Sequence, residues 1–445
     1  MRATLIGHAT WLLETEAGAV LTDPVLSDPF EDDTVVSCPR REVHLEHLPP
    51  LAAIFLSHRH LDHFHLPSLE RLDRRVPVFC PDDALLLRGL RAVGFTDCRL
   101  LHAFEPVQLG PLRLLPTPSS SPTFVEYGLV FEDHSGRLFN QVDTPLSRAT
   151  IERLHALSGR PDVHLAAYAT QDFGLFEARR QDTAGIYARN LDVAEAVGAR
   201  CVVPAAAGFR FADDVGWLNA HLFPIAEARF AADLRKRPTR PQVECLLPGD
   251  TLELTAARVT VHRQQAPYVS LVANDAALLT YAPDSPVPEL TDLNEPEHPA
   301  DYLAQFIDGF METGLSAFLA DAVPANEAVV SRYVAANASY QVEVVFPDHT
   351  RRWAWQFDAA AHAVRRADDL ARPDITKSIA ASTLVDLVSG HRSCFYARTR
   401  SRRSSEGLDL RDLLSHFVLL WKLTHRGERG RLEYYGLLST AERAA

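Results

Sequence analysis

From Met1 to about Arg263 the chain alternates short apolar, β-rich runs with amphipathic pieces. The runs include ATLIGHATWLLE, AVLTDPVL, LAAIFLS, VPVFC, LRLLPT, YGLVFE, RLFNQVD, VHLAAYA, RCVVPA and TLELTAARVTVH, and helical spacing appears between them in LPSLERLDRR and TAGIYARNLDVAEAVG. Sheets and helices each bury one face against another layer, so residues 1–282 are expected to form an α/β domain of sheets covered by helices. Residues 283–299, PDSPVPELTDLNEPEHP, are dense in proline and acid and read as a linker. Beyond them, ADYLAQFIDGFMETGLSAFLADA and LDLRDLLSHFVLLWKLTHRG have helical periodicity and bracket a strand pair, YQVEVVFPDHTRRWAWQFDAAAHAV. Residues 300–445 are therefore expected to be a smaller α+β domain, with Trp353 and Trp355, at strand period, facing a core or an interface.

Composition narrows the setting. A chain of 445 residues with 47% hydrophobic and 23% charged positions is globular and long enough for two domains. No run of about 18 apolar residues occurs, so no membrane-spanning helix is expected. The six cysteines are scattered, without C-x-x-C pairs, which fits a reducing cytoplasm. A net charge of −13 argues against nucleic acid as a partner. The basic cluster Arg398, Arg400, Arg402 and Arg403 is the local exception: it reads as a solvated loop, or as a place to meet an anionic substrate.

The densest chemistry lies in LSHRHLDHFH, where His58, His60, Asp62, His63 and His65 fall within eight positions at the carboxyl end of an apolar strand. Pro67 marks the helix that follows, since its missing N–H does no harm in a first turn. One intervening residue lets His58 and His60 chelate one ion, while Asp62 and His63 point towards a second. Imidazole with carboxylate suits both zinc and iron. The alternative is a solvated histidine cluster with Asp62 as a helix cap.

SHRHLDH matches the H-x-H-x-D-H signature of the metallo-β-lactamase fold, and LIGHATWLLE…LTDP resembles the lactonase and phosphodiesterase branch of that superfamily. The resemblance implies an αββα sandwich with metal bound along the edge between two sheets. It also implies that Asp143, in NQVDT, bridges two metals, and that His8, in GHATW, supports the site. Through NQVDT, CVVPAAAGFRF, LLPGDTLEL, DITKSIAASTLVDLVSGHRSCF and LLSHFVLLWK the chain further resembles the catalytic region of the CMP-N-acetylneuraminate hydroxylase family, iron-dependent monooxygenases supplied with electrons through a Rieske cluster.

Two departures qualify the transfer. LLPTPSSSPTF places serines, with Ser121 at the equivalent position, where the superfamily has a third-motif histidine, and VVPAAAGFRF lacks the usual late histidine. Candidate replacements are Glu126, His65, His164, Gln171 and Asp172, each also explicable as structural. No cysteine has a histidine two or three positions on, so a Rieske cluster is not encoded in these residues.

Three functions follow. The first is an iron-dependent oxygenase, with one or two ions, acting on a small polar substrate and drawing electrons from a separate ferredoxin or reductase. The second is a zinc hydrolase of lactonase or phosphodiesterase type, with Asp62 orienting the attacking water. The third is a non-catalytic protein on a decayed site.

Overall fold

The computed structural model describes residues 1–120, 124–176, 182–367, 370–405 and 407–444. Ser121 lies outside them. The contacts divide the chain into two compact units: Met1–Gln171 with Asp182–Ser285 and Leu437–Ala445, and Pro286–Gly436 with Asp172–Gln181.

The first unit is built on two sheets. The opening apolar run forms the expected hairpin, Arg2–Gly7 against Thr10–Thr15. With Gly18–Thr22, Leu51–Phe55, Val78–Pro81, Cys98–Leu101, Thr251–Leu254 and Val259–His262 it makes an eight-stranded sheet. The second sheet has seven strands, with Tyr127–Asp133 and Gly136–Asn140 at its centre. Trp11, Leu13, Phe55 and Phe79 from one sheet meet Leu114, Leu129, Phe131 and Leu138 from the other. Strand side chains alternate between faces, so Val130, next to Leu129, points the other way. There it packs with Phe139, Ile151 and Leu154 under the helix Arg148–Ser158. Both faces of this strand are covered, which is why YGLVF reads as an unbroken apolar run.

Helices Thr183–Val197 and Glu227–Leu234 continue the outer layer through Tyr187, Leu191 and Phe230. On the first sheet's outer side lie Leu66–Leu69 and Ala84–Val93. The result is the αββα sandwich expected from the sequence. Its last nine residues return to it: Thr440 N–H donates to Glu70 Oε1 at 2.7 Å, and Arg88 pairs with Glu442 at 2.5 Å.

The second unit has a five-stranded sheet in the order Ala363–Ala367, Thr350–Asp358, Ser339–Val345, Ile375–Ala380, Ser401–Ser405. Trp353 and Trp355 are buried in its core with Tyr333, Tyr340, Leu384 and Phe417. The pattern over 300–322 forms two α-helical pieces joined by a wider π turn, Gly309–Leu315. The last long helix, Leu413–Tyr435, is broken at Gly427, whose φ of 56° and ψ of −136° are not helical.

Two boundaries differ from the sequence reading. Residues 286–299 belong to the second unit rather than forming a free linker: Asp292 accepts from Ser382 N at 3.0 Å and from Ser382 Oγ at 2.5 Å, capping the helix Ala381–Ser389 from a distance. The unit also takes in Asp172–Gln181 and stops at Gly436, not at the end of the chain. Among the described residues no helix is long and apolar enough to cross a membrane.

Candidate metal centre

The histidine loop is anchored at the end of the buried strand Leu51–Phe55, where Ser57 is tied to Asp23. Ser57 donates from both N and Oγ to the Asp23 carboxylate, each at 2.7 Å. Asp23 lies one residue beyond Gly18–Thr22, the parallel neighbour of Leu51–Phe55, and is fully buried. Its Oδ2 also accepts from His63 Nδ1 at 3.0 Å. That bond fixes the His63 tautomer and sends Nε2 towards the carboxylates of Asp62, 3.4 Å away, and Asp143, 3.2 Å away. The Ser57 hydroxyl, its proton given to Asp23, accepts from His58 Nδ1 at 2.9 Å, which turns His58 Nε2 towards His60 Nδ1 at 3.0 Å.

Two groups of side chains converge closely enough to hold an ion: His8 with Asp62 and His63, and His58 with His63 and Asp143. In each, the donor atoms lie within 4.8 Å of one another. His63 is common to both. His60 reaches the centre through its approach to His58. His8 stands closer than a supporting role requires, with Nε2 3.2 Å from Asp62 Oδ2.

Burial and mutual repulsion from His63 and His60 hold His58 well below the usual imidazole range, and burial lowers His60 as well. Burial also opposes charge on His63, but Asp62 and Asp143 overcome it and raise its pKa well above normal. Asp62 is the converse: burial disfavours its charge, yet the attraction of His63 and hydrogen bonds from His63 and His8 keep it ionised far into acid.

Of the candidate replacements, Glu126 lies within electrostatic reach of Asp143 and His63, though it joins neither ligand group among the described residues. It precedes the strand Tyr127–Asp133, whose first N–H donates to Ser57 O at 3.2 Å and so joins the second sheet to the metal loop. Glu126 is buried and its Oε1 has no hydrogen-bond partner. Burial, reinforced by Asp143, pushes its pKa up to about 7. Beside it Phe124 stacks on His58 at 5.5 Å and meets His60 edge-on at 4.6 Å, forming an apolar wall.

His65 bonds to Ser68 Oγ at 2.7 Å and Asp172 caps Gly174 N, so both have structural partners, and neither joins a ligand group among the described residues. His164 works from behind: it donates from Nε2 to Gln141 Oε1 at 2.8 Å, and Gln141 Nε2 donates to Thr144 O at 2.9 Å, bracing the turn that carries Asp143.

His164 has a consequence for acid stability. It is fully buried, and desolvation lowers its pKa to about 3. The unfolded chain takes up this proton below about pH 6.5 while the folded chain does not. The stabilisation is therefore complete above that pH and is lost as the pH falls towards 3, by on the order of 4 kcal/mol from this residue. Urea unfolding at neutral and mildly acidic pH should show the decline, and His164→Leu should flatten it.

Where the late histidine is missing, the backbone of Gly208 presses on His8. A Cβ there would lie 2.8 Å from His8 N and 2.9 Å from His8 Cα. Gly208→Ala is expected to cost about 1–3 kcal/mol and to displace His8. Thermal unfolding would register the first effect and a weakened metal affinity the second.

Asp23, which braces Ser57 and His63 of the candidate centre, is a residue that the sequence reading passed over. Its only signal was its place after the apolar strand in LTDP.

The geometry defines a class: a metal-binding αββα sandwich with an H-x-H-x-D-H loop at its edge, so the first unit is a metallo-β-lactamase-fold domain. Residues 19–203 match the family model described as the beta-lactamase superfamily domain. A Mycolicibacterium smegmatis protein provisionally named a Rieske 2Fe-2S iron-sulfur protein is 28% identical over 240 residues, 46% of this chain and 43% of its own length. The chain thus spans less than half of that relative. Two solved structures are similar over part of the chain. Isothiocyanate hydrolase from Delia radicum gut bacteria is 17% identical, covering 57% of this chain and 100% of its own with a TM-score of 0.44. CmlA, a diiron β-hydroxylase from Streptomyces venezuelae, is 14% identical, covering 59% and 54% with a TM-score of 0.41.

Proposed function

We propose that this metal-dependent enzyme is an iron oxygenase that hydroxylates or otherwise oxidises a small polar substrate. The observation that carries the reading is the donor set. Two carboxylates, Asp62 and Asp143, accompany His8, His58 and His63 in the two ligand groups, with His60 against His58 and Glu126 within electrostatic reach of Asp143 and His63. Mixed imidazole and carboxylate donors with open positions suit non-haem iron, as they also suit catalytic zinc. The residues fit an ion on their own terms, because His63 Nε2 faces two carboxylates and Glu126 Oε1 is buried without a hydrogen-bond partner, an arrangement that a cation would satisfy. The Rieske name of the relative supports the same reading.

Bound iron would supply dioxygen chemistry that no side chain offers. The protein's own part is to orient and to exclude water. Asp23 fixes the rings of His63 and, through Ser57, His58. Phe124 keeps the His58–His60 side apolar. Asp62, held ionised between His8 and His63, presents a negative Oδ2 to the centre. Electrons would come from a separate ferredoxin or reductase.

The same ionised Asp62 favours the second reading, a zinc hydrolase in which it orients water. Elemental analysis of protein purified without added metal, paired with oxygen uptake in the presence of a reductant, separates the two. Iron with oxygen consumption is the expected result. Zinc alone, with ester or phosphodiester turnover that persists without oxygen, would overturn it. Full function after His58→Ala and His60→Ala together would overturn both.

A further inference from the structure

In the first unit, beside His8, the chain lines a partly open cavity of about 640 Å³. That is within the range of small-molecule sites, roughly 300–1,000 Å³. Leu5, Trp11, Phe223, Ile225 and Leu246 give it an apolar lining. The run Ala205–Ala206–Ala207–Gly208 forms one wall, and its missing side-chain bulk leaves the volume open. His8 belongs to both places. Its Nε2 faces Asp62, while its Nδ1 is buried without a partner.

The charged groups of the lining do not balance. Arg263 pairs with Asp250 at 2.7 Å, and Asp250 also accepts from the N–H groups of Leu247 and Gln264. Glu227, in the first turn of the helix Glu227–Leu234, forms no ion pair among the described residues. Its carboxylate accepts from the Cys245 thiol and the Leu246 N–H, with Arg263 as a more distant positive charge. Burial nevertheless pushes its pKa up to about 7, so its ionised form lacks compensation. An anionic head group would meet Glu227 and Asp250; a cationic one would complete the charge.

We propose that this cavity binds a small molecule with a hydrocarbon body and a protonated amine head, the body against Trp11, Phe223 and Ile225 and the ammonium against Glu227. The site is independent of whether the metal centre oxidises or hydrolyses. It also differs in sign from the anionic ligand suggested by the Arg398–Arg403 cluster.

The test is calorimetric titration of the full chain, in mildly alkaline buffer and below micelle-forming concentrations, with octylamine, octan-1-ol and octanoate. Octylamine should bind saturably with one site, and at least about tenfold more tightly than octanoate. Glu227→Gln should weaken octylamine by about tenfold or more and leave octan-1-ol unchanged, a readout that general loss of structure would not give. Ala228→Trp, an exposed position at the lining, should weaken all three by narrowing the space. No saturable binding of any probe would overturn the site. Equal binding of amine and carboxylate, or an octylamine affinity indifferent to Glu227→Gln, would overturn the head-group assignment.

Discussion

Replacing His63 by alanine is expected to empty both metal positions at once, with a loss of affinity greater than the roughly 10–100-fold that removing a supporting residue costs. The reason is its place in the geometry. His63 is the member that the His8–Asp62 and His58–Asp143 groups share, and its Nε2 lies between two carboxylates at 3.2 and 3.4 Å. His58→Ala removes a donor from one group and leaves His8, Asp62 and His63 intact, so it should retain part of the metal. Elemental analysis and competition with a chromophoric chelator would rank the variants. The fold of His63→Ala is checked by thermal unfolding of metal-free protein. Wild-type metal content in His63→Ala would refute the shared-ligand arrangement.

Asp23→Asn should produce the second large effect, a loss of stability together with a loss of metal affinity. The carboxylate is fully buried and receives three donors: Ser57 N, Ser57 Oγ and His63 Nδ1. An amide has one oxygen to accept with and turns its NH₂ towards at least one of those donors, while the negative charge beside His63 disappears. Breaking such a network costs about 3–5 kcal/mol, because the remaining polar groups stay buried without partners. The freed His63 and His58 rings would also lose orientation, weakening metal binding by about 10–100-fold. Denaturant unfolding of metal-free protein isolates the first effect, and metal competition the second. Asp23→Asn with unchanged stability would show that the network contributes little.

The candidate metal loop was legible because four of the five proposed ligands are neighbours in the chain, His58, His60, Asp62 and His63, so local spacing points to the chemistry. Asp143 required the resemblance, since one aspartate after a strand has many structural uses. Asp23 escaped because it meets His63 only through the pairing of Gly18–Thr22 with Leu51–Phe55, a tertiary fact that no local pattern encodes. Glu126 could be named as a candidate from its position near the serines, but its buried, unpartnered oxygen emerges only from the packing of the second sheet. The acidic, proline-rich stretch depends on distant residues in the same way. Proline and acid content describe residues 283–299 correctly, yet Asp292 is spent on the helix start at Ser382, ninety residues on. The layered α/β class was plain from the apolar runs, because strands buried on both faces leave little room for other readings.

The return of Leu437–Ala445 to the first unit carries a cost in order of synthesis. A ribosome completes the sheets and the histidine loop long before it emits the residues that bond to Glu70 and Arg88, and the whole second unit must pass in between. Final consolidation of the metal-bearing half thus waits for the tail to emerge. Genetic shuffling of the two halves by end-to-end fusion would sever that tie, so they are expected to be inherited together.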